Sequence, residues 1–532
     1  MLDDKTAAVN GARRSEMISA AAFMLAVLTA IFLRFYLIGI KPFHHDESVN
    51  SYFLLDLWRS GHYAYNPENY HGPTLYYFAL VAVKILGMND LALRCAPAVW
   101  GVLTVLALWP LRRWLGRVGT PVTAWLLALS PGLVYFSRDF IHESSFGFFS
   151  LGMVVGAWRY AETKRFSWLL LLAVCTGLFF ATKETAIITV VVLLLAAVCA
   201  AVWDIGRRLV VKTASLDLIA VIREIWHDTR PILPTLDHCG AALIIFLFLN
   251  LVFYSSFFTN WKGVIDAMKS VLMWTGRGVS RQEHYHVFTY YLGILIKLEL
   301  PLLIGAMAGT VVTLWRGTRF GLFVFAWAAG ISIGYSLIPY KTPWLMVSLL
   351  IPLAVLGGYA AEVIFAQQSA PGLRVIWLAI VAVMMVPCGV LAWQQNFQHY
   401  ADNDNAFGYF RKLGQHYKLT PWTDTQYGYV YAQTDASLLA LARAIREAAD
   451  RRPEGKETGI YIASPDYWPL PWYLRDYTSA AFAGTLPLEL TQPIVIAAPQ
   501  QQVKIEGMLG GPVQSETFTL RPGVDLVLYV RQ

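Results

Sequence analysis

Residues 17–47 read MISAAAFMLAVLTAIFLRFYLIGIKPFHHDE: an apolar run followed at once by a lysine and a cluster of imidazoles and carboxylates. A bilayer crossing needs roughly 20 apolar residues. The run Met17–Ile40 meets that need, and it follows Arg13 and Arg14. It is too long for the core of a signal peptide, so it reads as an uncleaved first span with a cytoplasmic amino terminus.

The rest of the chain repeats that pattern. Of 532 residues, 56% are hydrophobic and 14% charged, a balance that excludes an ordinary soluble enzyme. Further apolar runs at 91–110, 121–136, 144–158, 168–182, 186–203, 239–256, 301–315, 321–338, 345–364 and 374–393 bring the expectation to about eleven spans. The net charge of +7 comes largely from short basic loops (Arg112/Arg113/Arg117, Arg159/Lys164/Arg165, Arg207/Arg208/Lys212, Arg316/Arg319), which the positive-inside rule places in the cytoplasm; it does not point to nucleic acid. The runs 74–87 and 288–300 carry Lys84, Lys297 and Glu299 and read as interfacial helices. Segments 41–72, 137–143, 257–287 and 339–344 then share the outer face. Residues 1–395 form the membrane domain on this reading, and 396–532 an outer domain. Within the latter, 436–449 has helical spacing, and 459–463, 493–498 and 524–530 are short strand-like runs, so a small α/β fold is expected. The five cysteines form no CxxC pair and read as small core residues.

His44-His45-Asp46-Glu47 has two readings. It is either a solvated helix start, with Asp serving as a cap, or a catalytic or metal-binding acid cluster. Asp139, His142 and Glu143 would share one helical turn, and with His45 and the acid pair they make a candidate site for a divalent ion such as Mg, Mn or Zn. Arg94, Arg138, Lys183 and Lys341 all stand at outer span ends. There they act either as snorkelling anchors or as ligands for an anionic headgroup. His71, His284, His286 and Tyr340 are candidate acceptor-side contacts on the same face.

Residues 44–116, with Asp46-Glu47, Gly61, His71-Gly72-Pro73-Thr74 and Arg94, resemble the first outer loop and second span of GT-C glycosyltransferases. The pattern is nearest to protein O-mannosyltransferases and the bacterial aminoarabinose transferases of lipid A. LLALSPGLVYFSRDFIHESSFGFF (126–149), GLFFATKETAIITVVV (177–192) and IPYKTPWLMVSLLIPLAVLGGY (338–359) are similar to later parts of that fold. With YVYAQTDASLLALARAIREAA (429–449) and YWPLPWYLRDY (467–477), the chain looks most like the prokaryotic flippase-activity-associated, archaeal-glycosylation-like branch. Two positions depart from the pattern: His71-Gly72-Pro73 stands where the aminoarabinose transferases have Lys-Pro-Pro, and Arg138-Asp139 with His142-Glu143 replaces Asp-x-Asp.

The resemblance implies a polyprenyl-phosphate sugar as donor, transfer with inversion to a protein, lipid or surface glycan, and a location in a prokaryotic inner membrane. It implies Asp46 as general base, with Glu47, Asp139, His142 and Glu143 orienting the site or holding a metal. Arg94, Arg138, Lys183 and Lys341 would meet the lipid phosphate. The competing expectation is a non-catalytic accessory protein for lipid-linked glycan flipping or transport.

Overall fold

The computed structural model describes residues 2–66, 71–212, 233–279, 284–398, 433–521 and 523–531, with Ile219, Arg223, His227 and Tyr429. Residues 67–70 and 280–283 of the expected outer segments, and 399–428 and 430–432 of the outer domain expected from 396, lie outside the described residues.

The apolar runs are helices. Among the described residues, seven are long and apolar enough to cross a membrane: Arg13–Phe35, Asp90–Leu129, Ala186–Trp203, Leu236–Tyr254, Arg319–Leu337, Pro343–Gln367 and Pro371–Gln398. An eighth is Tyr290–Leu298 with Leu300–Arg316 if that pair, bent by 112°, counts as one span. The expected count of about eleven is higher for two reasons. Asp90–Leu129 holds two expected spans, broken where Gly116 takes φ +77°, a value that costs glycine little. Phe166–Phe180 is only 15 residues long, and Glu143–Thr163 is absent from the crossing set because its face is rich in Ser, Gly and charged residues. The expected interfacial pieces appear as the short helix Thr74–Leu86 and as Tyr290–Leu298, which turns sharply at Glu299.

At the centre of the bundle Met346–Gln367 packs against Arg112–Leu129 and Leu300–Arg316, and it is buried along most of its first four turns. Large apolar side chains elsewhere, such as Leu194, Leu195, Ile244 and Val383, face outward where acyl chains belong.

Residues 433–531 form a small α/β unit. Five strands, β1 (Ile460–Ile462), β2 (Ala480–Phe482), β3 (Ile494–Ala497), β4 (Val513–Arg521) and β5 (Val524–Arg531), lie in the order β2-β1-β3-β5-β4. The first three are parallel and β5 runs antiparallel to both β3 and β4. Strand alternation sends Ile494 and Ile496 to the face covered by the helix Ser437–Asp450, through Leu438, Leu441 and Ile445. Val495 and Ala497 go to the other face, against Ile505 and Leu509 of the helix Gln502–Leu509. The expected helix and three strand runs are all present; β2 and β4 are additional.

The expected orientation gives a direct test. Single cysteines placed at Val118 and Val210 should stay shielded from an impermeant thiol reagent in intact cells, while cysteines at Asn260 and Gly455 should react. Labelling at Val118 from outside would reverse the assignment.

Candidate active site

The acid cluster after the first span opens the helix α2 (His45–Ser60). His44 is its cap: His44 Nδ1 accepts from the Asp46 amide at 3.1 Å, and Glu47 reaches back to the His44 amide at 2.9 Å. This reciprocal capping box satisfies two orphan donors of the first turn. The same Nδ1 lies 4.0 Å from Asp46 Oδ2.

The same turn separates the two carboxylates. Glu47 is fully buried and its oxygens accept from Arg94 Nε and Nη2, both at 2.7 Å, from the Phe140 amide at 2.8 Å and from the His44 amide. Burial would raise the Glu47 carboxyl, but the Arg94 guanidinium, helped by Lys41, outweighs it and holds the group below the usual range. Asp46 is part-exposed and its carboxylate accepts no hydrogen bond from the described residues. It lines a narrow cleft of about 20 Å³ with His44, Glu47, Tyr135, Phe136, Asp139, Ile141, Trp344 and Tyr429. Three carboxylates and the side chains of Tyr135, Phe136, Trp344 and Tyr429 therefore meet at one end of the bundle.

Arg94 and Arg138, expected at a lipid phosphate, are committed to the protein. Arg94 also donates to the carbonyls of Ile38, Lys41 and Pro42, so its whole fork is occupied. Arg138 donates to the carbonyls of Leu33, Arg34, Tyr36 and Leu37, closing the carboxyl end of the first span. Arg34 does the same for Leu127 and Ala128 at the end of the helix Arg112–Leu129. The reason is burial: Arg94 and Arg138 have no exposure, and a buried guanidinium needs acceptors.

The four residues expected around a metal do not gather. Residues 137–142 bend instead of continuing a helix, so Asp139, His142 and Glu143 diverge. Asp139 pairs with Lys41, Glu143 with Lys183 at 2.6 Å, and His142 Nε2 contacts the Gly72 carbonyl at 3.0 Å. His45 stands beside Trp468, ring centroids 5.8 Å apart, and burial lowers its imidazole, opposed by Asp46. Among the described residues no group of three or more His, Cys, Asp or Glu side chains is placed to hold a metal ion.

His71 falls in a neighbouring polar cluster. Its Nδ1 meets Glu184 at 2.8 Å, Tyr65 donates to the same carboxylate at 2.9 Å, and its ring lies 5.5 Å from that of His142. Gly72 permits this: a Cβ there would stand 2.2 Å from the Ala181 carbonyl oxygen, so the 71–73 turn presses directly on the Lys183 loop. The third and fourth of the expected outer segments also meet. Tyr285 and Tyr340 form a single antiparallel bridge, the Lys341 amide donates to the His284 carbonyl at 2.9 Å, and the His284 and Tyr340 rings lie 5.1 Å apart. His286 stacks on Tyr290, and its carbonyl accepts from Lys341 Nζ at 2.9 Å.

Sequence reasoning missed Lys41, Tyr135, Tyr429 and Glu299. Lys41 is buried against Asp139, with its ammonium 3.8 Å from the centre of the Tyr135 ring. Burial lowers this lysine and raises Asp139, in each case against the attraction of the partner. Its position directly before the acid cluster was the available signal. Glu299, at the break between two helices, accepts from Ser130, the Gly132 amide and Tyr429 at 2.8, 2.9 and 3.0 Å. It showed in the sequence only as an interruption of an apolar run.

Residues 70–226 match the family described as dolichyl-phosphate-mannose-protein mannosyltransferase. No curated protein sequence matches. Among solved structures, ArnT from Cupriavidus metallidurans bound to undecaprenyl phosphate superposes with a TM-score of 0.61 at 13% identity, covering 96% of this chain and 97% of that one. The oligosaccharyltransferase AglB from Archaeoglobus fulgidus, in complex with an inhibitory peptide and a dolichol-phosphate, gives 0.55 at 13% identity over 92% of this chain and 70% of its own. The chain is thus an integral membrane protein with the fold of the GT-C glycosyltransferases over nearly its whole length, resembling the O-mannosyltransferases and ArnT.

Proposed function

We propose that the chain transfers a sugar from a polyprenyl-phosphate donor to a hydroxyl-bearing acceptor on the extracytoplasmic face of a prokaryotic inner membrane, with inversion at the anomeric carbon. The observation that carries this reading is the contrast within the acid pair: Glu47 is buried and paired with Arg94, while Asp46 faces an aromatic-walled cleft and its carboxylate accepts no hydrogen bond from the described residues. The lipid phosphates in the two matched structures support the donor class.

Asp46 accepts the proton of the acceptor hydroxyl as that oxygen attacks the anomeric carbon. The bond from that carbon to the lipid phosphate breaks, and the phosphate departs with the electron pair. Charge grows on the phosphate in this step, so a nearby cation stabilises it. Lys341 is suited to that role, because its ammonium has three donors and the carbonyls of His286 and Ile338 take two of them. It also lies three residues before Trp344 of the cleft. Lys183, by contrast, is buried in an ion pair with Glu143 at 2.6 Å. Among the described residues the acid and imidazole side chains do not gather into a metal centre.

Purified protein should release polyprenyl phosphate from at least one member of a panel of lipid-phosphate sugars, read by mass spectrometry. Absence of turnover across a broad donor and acceptor panel would favour the accessory role instead. Lys341→Ala should weaken binding of undecaprenyl phosphate about 10- to 150-fold, the loss of one charge-assisted contact. Parental binding in that variant would make Lys341 a structural anchor of the 284–286 segment.

A further inference from the structure

Two residues just ahead of the α2 cap have their backbone held by side chains from the far end of the chain. The Phe43 amide donates to the Tyr473 hydroxyl at 2.8 Å, and the Phe43 carbonyl accepts from the Thr434 hydroxyl at 2.7 Å. The Pro42 carbonyl accepts from Gln433 Nε2 at 3.2 Å. One turn into the helix, the Ser48 hydroxyl donates to the Pro469 carbonyl at 3.1 Å. The contact is also packed: the Phe43 ring stacks on Trp472 at 5.1 Å, and the Trp472 indole N–H donates to Asp90 at 2.7 Å.

Pro42 and Phe43 belong to neither helix nor strand, so their buried polar groups need partners from elsewhere. Apart from Arg94 at the Pro42 carbonyl, those partners are buried Gln433 and Thr434 and half-buried Tyr473, all in the carboxyl-terminal domain. The same strap reaches the cleft wall. Gln433 accepts from the Tyr135 hydroxyl at 3.1 Å, and Tyr429, itself a wall residue, is pinned to Glu299. Arg59 bonded to the Arg475 carbonyl, and Arg475 bonded to the Met88 carbonyl, hold the domain elsewhere; the bonds from Gln433, Thr434 and Tyr473 fall instead on the segment just before the carboxylate and on the cleft wall.

We propose that Gln433, Thr434 and Tyr473 are positioning residues for Asp46, so that the outer domain is a working part of the cleft. This rests on the assignment of Asp46 as the base. A base displaced by about 1 Å loses on the order of 100-fold in rate, and the direction of α2 is fixed by the segment these side chains hold.

The test is the double variant Thr434→Val/Tyr473→Phe, which deletes one donor and one acceptor with little change of volume. In the full-length purified protein, with undecaprenyl-phosphate sugars as donors, kcat should fall about 10- to 100-fold, while the donor KM stays within about threefold of the parent. Amide hydrogen exchange over residues 43–47 should speed up in the absence of substrate, with the Met346–Gln367 helix unchanged. Thr434→Ser, which keeps the hydroxyl, should retain parental kcat and exchange. Parental kcat or parental exchange in the double variant, with an active parent, overturns this proposal alone. A parent that transfers nothing from the donor panel overturns the base assignment, and this proposal with it.

Discussion

Asp46→Asn should lose sugar transfer by roughly 10²- to 10⁴-fold, the usual contribution of a positioned general base, while binding of the lipid donor survives. Asparagine keeps the size of the side chain and its place on the first turn of α2, but it has no basic oxygen. The Asp46 carboxylate accepts nothing from the described residues, so the exchange breaks no internal hydrogen bond. Folding should therefore be unaffected, and a loss of turnover reports on chemistry. The measurement is single-turnover transfer with matched donor binding. Near-parental turnover in this variant would remove Asp46 from the mechanism.

The neighbouring carboxylate should behave in the opposite way. Glu47→Leu leaves the Arg94 guanidinium buried without its bidentate partner and strips the Phe140 and His44 amides of their acceptor. Breaking a buried pair from one side costs about 3–5 kcal/mol, so this variant should unfold at markedly lower temperature, and activity should follow the folded fraction. Arg94→Met should cost a similar amount. Joined in one chain, the two changes should cost less than their sum, because neither charge is then left alone. Strict additivity in thermal or denaturant unfolding would mean that the pair is not coupled as its geometry indicates.

The fold was legible because its signals are long. A run of some 20 apolar residues between basic loops has few alternatives in a bilayer, and the two pieces set aside as non-crossing carry internal charges that mark a short or broken helix. The site was legible as a neighbourhood but not as a set of roles. His44 to Glu47 stand together in sequence, yet the capping box turns Glu47 inward and leaves Asp46 at the cleft, a distinction of one position on one helical turn. Likewise, Asp139, His142 and Glu143 share a face only if the chain is helical through them, and a bend at 137–142 disperses them. Whether an arginine serves a ligand or a helix end depends on which carbonyls the tertiary fold leaves unpaired, as at Leu33 to Leu37 beside Arg138. No local pattern reveals that.

The bonds from Phe43 to Thr434 and Tyr473 join positions 391 and 430 residues apart. A ribosome adding about 5–20 residues each second would take roughly 20 to 80 s between making the first partner and making the second. Throughout that interval the span bundle can assemble while the segment ahead of Asp46 waits for the polypeptide's last fifth to be made. Competence is thereby tied to completion: an interrupted translation product inserts into the bilayer, yet it lacks the hands that set its own carboxylate.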